Sequence, residues 1–453
     1  MNIRIYKNIF ISLIIFLIIA GIYIIYIKDN GDKDDVQARN KETITTKEIT
    51  IGITEFDTIN PILTKSLEMQ HLMKLVYEPL VNISQDFKVE PAIAVEWPKI
   101  DSLTYIVRLD DSKDIQAKDI IFTINLIKQS ASIYKNNIQK IDRVEEIDEK
   151  TLKIYLSEEV QFFEYLLCFP ILKEEGYNQE APKGIGKYNI QSITKDEIIL
   201  KGQETKLTVK ILSNVAELYN EFTRENIDLI ITQNINYEEY IGNIGFEENI
   251  IIGREFYYIS CENIKNKETR LFIKQAINKE KIVYDLYNKR YVIADFPLEY
   301  GSYLNKENET EKDEIILKNR TFTLSVEEEN YKIAEKIKEQ LEEKGIKIVI
   351  QNYKNSYADL ILKKHTVPIT PSIKEYFKDK EIKEQIDKIV RIENKEIIKQ
   401  EYKKIIDNYY EEMPFISLYF NSYIILHNNK LKGDFSGNWY NVFYNVDSWY
   451  KIL

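Results

Sequence analysis

The longest apolar run of the chain lies at its start: from Ile9 to Ile27 there is no charged residue. At ~1.5 Å per helical residue the run covers the ~30 Å hydrocarbon core of a bilayer and predicts one N-terminal transmembrane helix. Arg4 and Lys7 precede it, and Asp29, Asp32, Asp34 and Asp35 follow, so the N-terminus is expected in the cytoplasm and the bulk of the chain outside. The run exceeds the usual apolar segment of a cleaved secretory signal, and no Ala-x-Ala site follows it, which favours a retained anchor over residues 1–28. Residues 29–47, DNGDKDDVQARNKETITTK, are polar and read as a flexible tether, since they cannot bury enough apolar surface to offset ordering.

From Glu48 the pattern changes to that of folded elements. EITIGITEF alternates as a strand, Asn60 and Pro61 mark a turn, and LEMQHLMKLVYEPL places Leu72, Leu75 and Val76 on one helical face. The segment Ala92 to Trp97, bounded by prolines, reads as a helical turn, Thr104 to Leu109 as a strand, and DIIFTINLIKQ as a helix. Further on, Ile333, Ile337 and Leu341 share a helical face, Gly345 caps its end, and Ile346 to Ile350 is a strand. A helix over Asn394 to Glu412 uses Ile397, Ile398, Ile405, Ile406 and Tyr409, and Pro414 stops it before two strands, FISLYF and YIILH. Helices alternating with strands on this scale predict an α/β fold.

Composition narrows the function. With 453 residues, 44% hydrophobic and 30% charged, the chain is a globular protein of two or three lobes. A formal net charge of -11 gives no general attraction for nucleic acid, which is excluded as a partner class. Cys168 and Cys261 sit in apolar strand-like settings and read as buried thiols rather than a disulfide framework. His71, His365 and His427 are isolated, and no Gly-x-Ser-x-Gly, HExxH or Cys-x-x-Cys occurs, so neither a catalytic constellation nor a metal site is expected. Gly184-Ile185-Gly186-Lys187 lacks the spacing of a phosphate loop, and a strand follows where a helix would be needed. Its glycines are expected to permit a turn closed to residues with a Cβ.

Five pieces in order carry a family resemblance: Asn60-Pro61; Tyr77-Glu78-Pro79-Leu80; Pro91-Ala92-Ile93-Ala94 with Trp97; Leu103-Thr104-Tyr105; and Ala117-Lys118-Asp119-Ile120. Together they resemble the start of the large extracytoplasmic solute-binding proteins of peptide-type ABC importers, the family of oligopeptide-, dipeptide- and nickel-binding proteins. PKGIGKYNI, RENIDLII, Arg270, Gln275 to Asn278 and Lys279 to Ile282 continue the resemblance. It implies a periplasmic-binding-protein-like fold, lobes of mixed sheet flanked by helices around a hinged cleft. On that analogy lobe I comprises 48–68, 182–262 and 423–453, lobe II is 69–181, and lobe III is 263–422, with crossings near Glu68, Pro182, Glu262 and Tyr423.

The resemblance implies no enzyme activity and no cofactor. It implies a monomeric receptor that closes over a peptide or other small polar solute and delivers it to ABC permease subunits. Glu68, Met69, Gln70, Tyr257, His365, Thr366, Asn438 and Tyr440 are the candidate cleft residues. Two departures matter. DDSKDIQ, Asp110 to Gln116, replaces a longer surface loop, and Ile361 to Phe377 holds no acid before Glu375, where peptide binders carry a carboxylate that in some members pairs with the ligand's amino terminus. A buried ammonium without a counter-charge costs several kcal/mol, so either another acid such as Glu68 serves or the ligand is not a free peptide N-terminus. A family member retained as a ligand sensor or interaction module is the alternative. Ile19-Ala20-Gly21 looks like the end of a lipoprotein signal, but Ile22 stands where the lipidated Cys would be, so the spanning helix is expected to be the tether in an organism with a single membrane.

Overall fold

The computed structural model describes residues 44–453, apart from 180, 243–244, 299–301, 303, 305–319, 390 and 393. The expected membrane span and most of the tether lie outside the described residues; among these, no helix is long and apolar enough to cross a membrane. Residues 47–451 form one compact unit.

Its backbone is an eleven-stranded mixed sheet. At one end Lys206–Leu212, Glu48–Thr54 and Leu229–Thr232 run parallel, with Glu197–Lys201 and Asn189–Ile193 continuing antiparallel to the edge. At the other end Leu360–Thr366, Arg320–Ser325 and Ile346–Gln351 run parallel. Two long antiparallel strands, Phe246–Ser260 and Phe415–Asn428, join the ends. The second reads in sequence as two strands because the polar pair Asn421-Ser422 interrupts it. Both residues are buried with partners: Asn421 Oδ1 accepts from Glu255 N at 2.8 Å, and Ser422 Oγ donates to the Arg290 carbonyl. Opposite Asn421 the register slips between Ile252 and Phe256, a bulge that bends the pair locally.

Each end of the sheet uses the same fastening. Asp228, nearly inaccessible, accepts from Thr50 N at 2.8 Å and from Asn428 Nδ2 at 2.9 Å. Asp359 accepts from Thr323 N and Thr323 Oγ1, both at 2.8 Å.

Between Val81 and Leu156 lie a two-stranded ribbon and a smaller five-stranded antiparallel sheet. Ala94–Glu96 is a strand of that sheet, paired with Thr104–Leu109, and not a helical turn. The physical reason is the flanking prolines: Trp97 precedes Pro98, which disfavours the helical region for it. Tyr105 stacks on Phe163 with centroids 3.8 Å apart. The Ala117–Gln129 helix packs alongside, its start closed by Asp119 accepting from Gln116 N at 2.9 Å.

The predicted helices stand where their apolar spacing places them. Tyr331–Glu343 buries Ile333, Ile337 and Leu341, and Gly345 follows at φ 81°. Lys395–Glu412 buries Ile398, Tyr402, Ile405, Ile406, Tyr409 and Tyr410, whereas Ile397 is exposed, since the packed face is shifted toward the tyrosines. Cys168 and Cys261 are free, buried thiols. Neither Gly184 nor Gly186 has a positive φ. They are needed for close approach instead: a Cβ on Gly184 would lie 2.0 Å from the Val76 carbonyl oxygen, and one on Gly186 2.3 Å from that of Leu75.

Candidate ligand cleft

A cleft of about 590 Å³ opens between residues 136–166 on one wall and 366–387 on the other. Arg254, from the bulge of the Phe246–Ser260 strand, lines it too. Two further hollows, of about 440 and 560 Å³, draw their walls from residues 247–251 with 432–437 and from residues 262–270 with 378–414. Neither brings the crossing bulge together with both walls.

Beside the cleft, residues next to the second wall reach the first: Tyr402 Oη, which also donates to the Pro371 carbonyl, donates to Gln161 Oε1 at 3.3 Å, and Arg391 stands 3.6 Å from Glu159. All three carboxylates lining the cleft are ion-paired, Glu158 with Lys140, Glu159 with Lys99 and Arg391, Asp387 with Lys374. Two amide groups are not satisfied: Asn137 Nδ2 and Gln161 Nε2 are buried with no hydrogen-bond partner among the described residues. Such donors cost about 1–3 kcal/mol each when left unpaired.

At the base, Arg254 donates through Nε and Nη2 to the Val367 carbonyl, at 3.1 and 2.8 Å, and lies 4.5 Å above the Trp439 ring. The neighbouring Tyr440 ring carries Lys74, whose Nζ is 3.9 Å from the centroid and donates to the Tyr440 carbonyl. Burial pushes the Lys74 ammonium down to about 7, with Arg254 adding in the same direction against Cys168. Lys74 keeps some accessible surface but is not among the residues that line the cleft. One turn earlier on the same helix, His71 is buried edge-on to Tyr423, both ring nitrogens lack hydrogen-bond partners among the described residues, and burial holds its pKa well below the ordinary value.

The residues singled out from the sequence are scattered around this base. Thr366 lines the cleft. His365 is half-buried, 3.3 Å from Glu375, with Tyr376 edge-on to its ring. Tyr440 is buried beneath Lys74, and Asn438 holds the chain's turn, accepting from Tyr440 N and Asn441 N at 3.0 Å each while donating to the Ser84 carbonyl. Met69 is wholly buried in the core. Glu68 accepts from Ser66 Oγ at 3.0 Å, and Gln70 Nε2 donates to the Thr64 carbonyl at 3.3 Å, both at the helix start. Tyr257 belongs to a cluster with Tyr287, Tyr291 and Tyr419, while its neighbours Phe256 and Tyr258 pack on Tyr376. Lys74 and Arg254 are absent from the sequence reading; the available signal is a lone cation, Lys74, in the otherwise largely apolar stretch LMKLV.

Residues 88–372 match the model of the bacterial extracellular solute-binding proteins, family 5 (middle). The chain belongs to family 5. It is therefore a substrate-binding protein of the peptide/nickel type that serves ABC importers, not an enzyme, and family 5 proteins are extracytoplasmic. No curated protein matches the chain. Solved structures place its fold among those of family 5. A periplasmic murein tripeptide binding protein, MppA, in an unliganded open form superposes with TM-score 0.76 at 14% identity, covering 90% of this chain and 97% of that one. The nickel ABC transporter from Bacillus halodurans gives 0.74 at 16%, covering 87% and 98%. The oligopeptide-binding protein AppA from Bacillus subtilis, in complex with a nonapeptide, gives 0.56 at 16%, covering 90% and 99%. At these identities the likeness concerns the fold alone.

Proposed function

We propose that this chain is a membrane-tethered extracellular receptor that captures peptides, or another small polar solute, in the cleft above Arg254 and delivers them to an ABC permease. Residues 48–68, 182–262 and 423–453 act as lobe I, 69–181 as lobe II and 263–422 as lobe III. Closure of lobes II and III over the solute excludes water from the donors at the base. The observation that supports this reading is the cleft itself, bounded by residues 136–166 and 366–387 and lined at the crossing strand by Arg254. MppA and AppA, by their names and bound ligand, handle peptides, which makes peptides the first solutes to test.

The test is thermal unfolding of the full chain in detergent with pooled tripeptides. A rise in midpoint that grows with peptide concentration is expected, because a ligand bound only to the folded state stabilises it by mass action. A midpoint unmoved by every pool would sink the peptide version.

A further inference from the structure

We infer that the receptor selects solutes that bring no ammonium to the wall formed by residues 366–387, and so takes N-acylated peptides in preference to peptides with a free amino terminus. The inference rests on the receptor reading above and narrows the class of its ligand.

Three observations carry it. First, the carboxylates that line the cleft are already engaged. Both oxygens of Asp387 accept from Lys374 Nζ at 2.6 Å. Glu159 holds Lys99 at 3.1 Å on one oxygen and Arg391 at 3.6 Å on the other, and Glu158 accepts from Lys140. Four cations thus stand against three carboxylates, and an arriving ammonium must compete with them. Second, the other acids nearby are held elsewhere. Among the described residues, Glu68, Glu164, Glu255 and Glu375 do not line the cleft. Glu68 accepts from Ser66 Oγ at its own helix start, Glu255 accepts from Tyr257 Oη at 3.4 Å, and Glu375 accepts from Ser372 Oγ at 3.1 Å beside His365. Burial draws Glu164 toward its protonated form. Third, the loop after the Leu360–Thr366 strand lines the cleft with Thr366, Pro368, Ile369 and Thr370, and its first charged residue is Lys374. Threonine hydroxyls donate to an acyl carbonyl, and Pro368 and Ile369 give apolar cover to an acyl chain.

An ammonium enclosed between these walls loses its hydration without gaining a counter-charge of its own. Acylation removes that charge and puts a carbonyl acceptor in its place. The discrimination is therefore one of charge, and it fades as the α-amino group, with an ordinary pKa of about 7.7–8.0, gives up its proton.

The test measures, by calorimetry on the full chain in detergent, affinity for matched tripeptide pools with a free or an N-acetylated amino terminus, at pH 6 and at pH 9. At pH 6 the acetylated pool is expected to bind at least tenfold more tightly. From pH 6 to pH 9 the free-amine pool gains on the acetylated one, which controls for groups of the protein that titrate over the same range. Thr370→Asp adds a carboxylate to the loop and is expected to raise affinity for the free-amine pool at pH 6 at least tenfold, with Thr370→Asn as the uncharged counterpart. Midpoints of ligand-free unfolding for both variants identify any loss due to misfolding. A free-amine pool that binds as tightly as the acetylated pool at pH 6 would overturn the exclusion of ammonium while leaving a peptide receptor. A preference for acetylated peptides undiminished at pH 9 would overturn it too, since contact with the acetyl group, and not charge, would then account for the preference. Binding of neither pool at either pH would overturn both readings.

Discussion

Gly186 passes over the end of the Leu67–Val76 helix so closely that its amide donates to the Val76 carbonyl at 2.8 Å, and Tyr188 N reaches Leu75 O at 2.9 Å. A methyl group there must displace backbone, so Gly186→Ala is expected to cost about 1–3 kcal/mol, read from the urea midpoint at unchanged slope. Lys74 gives a second residue-scale prediction. Its pKa is lowered to about 7 in the folded chain from an ordinary 10.5. The burial penalty is therefore complete below pH 7 and fades as pH rises toward the unfolded value, because the unfolded chain then holds the extra proton. Relative to Lys74→Met, the natural chain should gain stability between pH 7 and 10; parallel pH profiles would refute this. These residues also show what was legible. Asn60, Asp119, Arg270 and Asn278 belong to recognisable motifs because each does local scaffold work: Asn60 and Asn278 accept backbone N–H groups, Asp119 closes a helix start, and Arg270 donates to the carbonyls of Ile264, Lys265 and Glu412. Lys74 and Arg254 do no such local work. Their meeting depends on residues far away in sequence, and no spacing announces it.

At the scale of elements, Asp228 and Asp359 each stand before a strand and grip the backbone N–H of a parallel neighbour, Thr50 or Thr323. Asp228 is also 2.6 Å from Lys451. Asp228→Ala is expected to cost about 3–5 kcal/mol, since it removes the buried carboxylate shared by Thr50 N, Asn428 Nδ2 and Lys451, and calorimetry of the variant checks it. Helix boundaries were readable because apolar spacing encodes them. The Phe415–Asn428 strand was not, since a buried polar pair looks like a turn until its partners across the sheet are known. Those partners form the bulge: a Cβ on Gly253 would sit 2.2 Å from Asn421 Oδ1. Gly253→Ala should push Asn421 away from Glu255 N and alter cleft closure. Small-angle scattering with and without a bound tripeptide should then show a smaller ligand-induced change in the variant than in the natural chain; equal changes would count against a hinge at this bulge.

For the whole molecule, the order of motifs conveyed the fold because each motif fastens neighbouring segments, whereas the ligand's identity stayed hidden in contacts made by chain folding. The proposed anchor over residues 1–28 makes its own prediction: the mature protein partitions with membranes, takes no fatty-acid label because Ile22 cannot accept one, and keeps its N-terminus. A labelled product, or a chain beginning beyond Ile27, would overturn it. The two long strands have a further consequence. They are hydrogen-bonded to each other on both sides of the bulge, so motion between the sheet's ends must flex a paired ribbon instead of swivelling loose linkers. In the proposed receptor, such a ribbon would resist displacement from its rest position, so part of the free energy of solute capture would go into deflecting it and would be returned when the solute leaves.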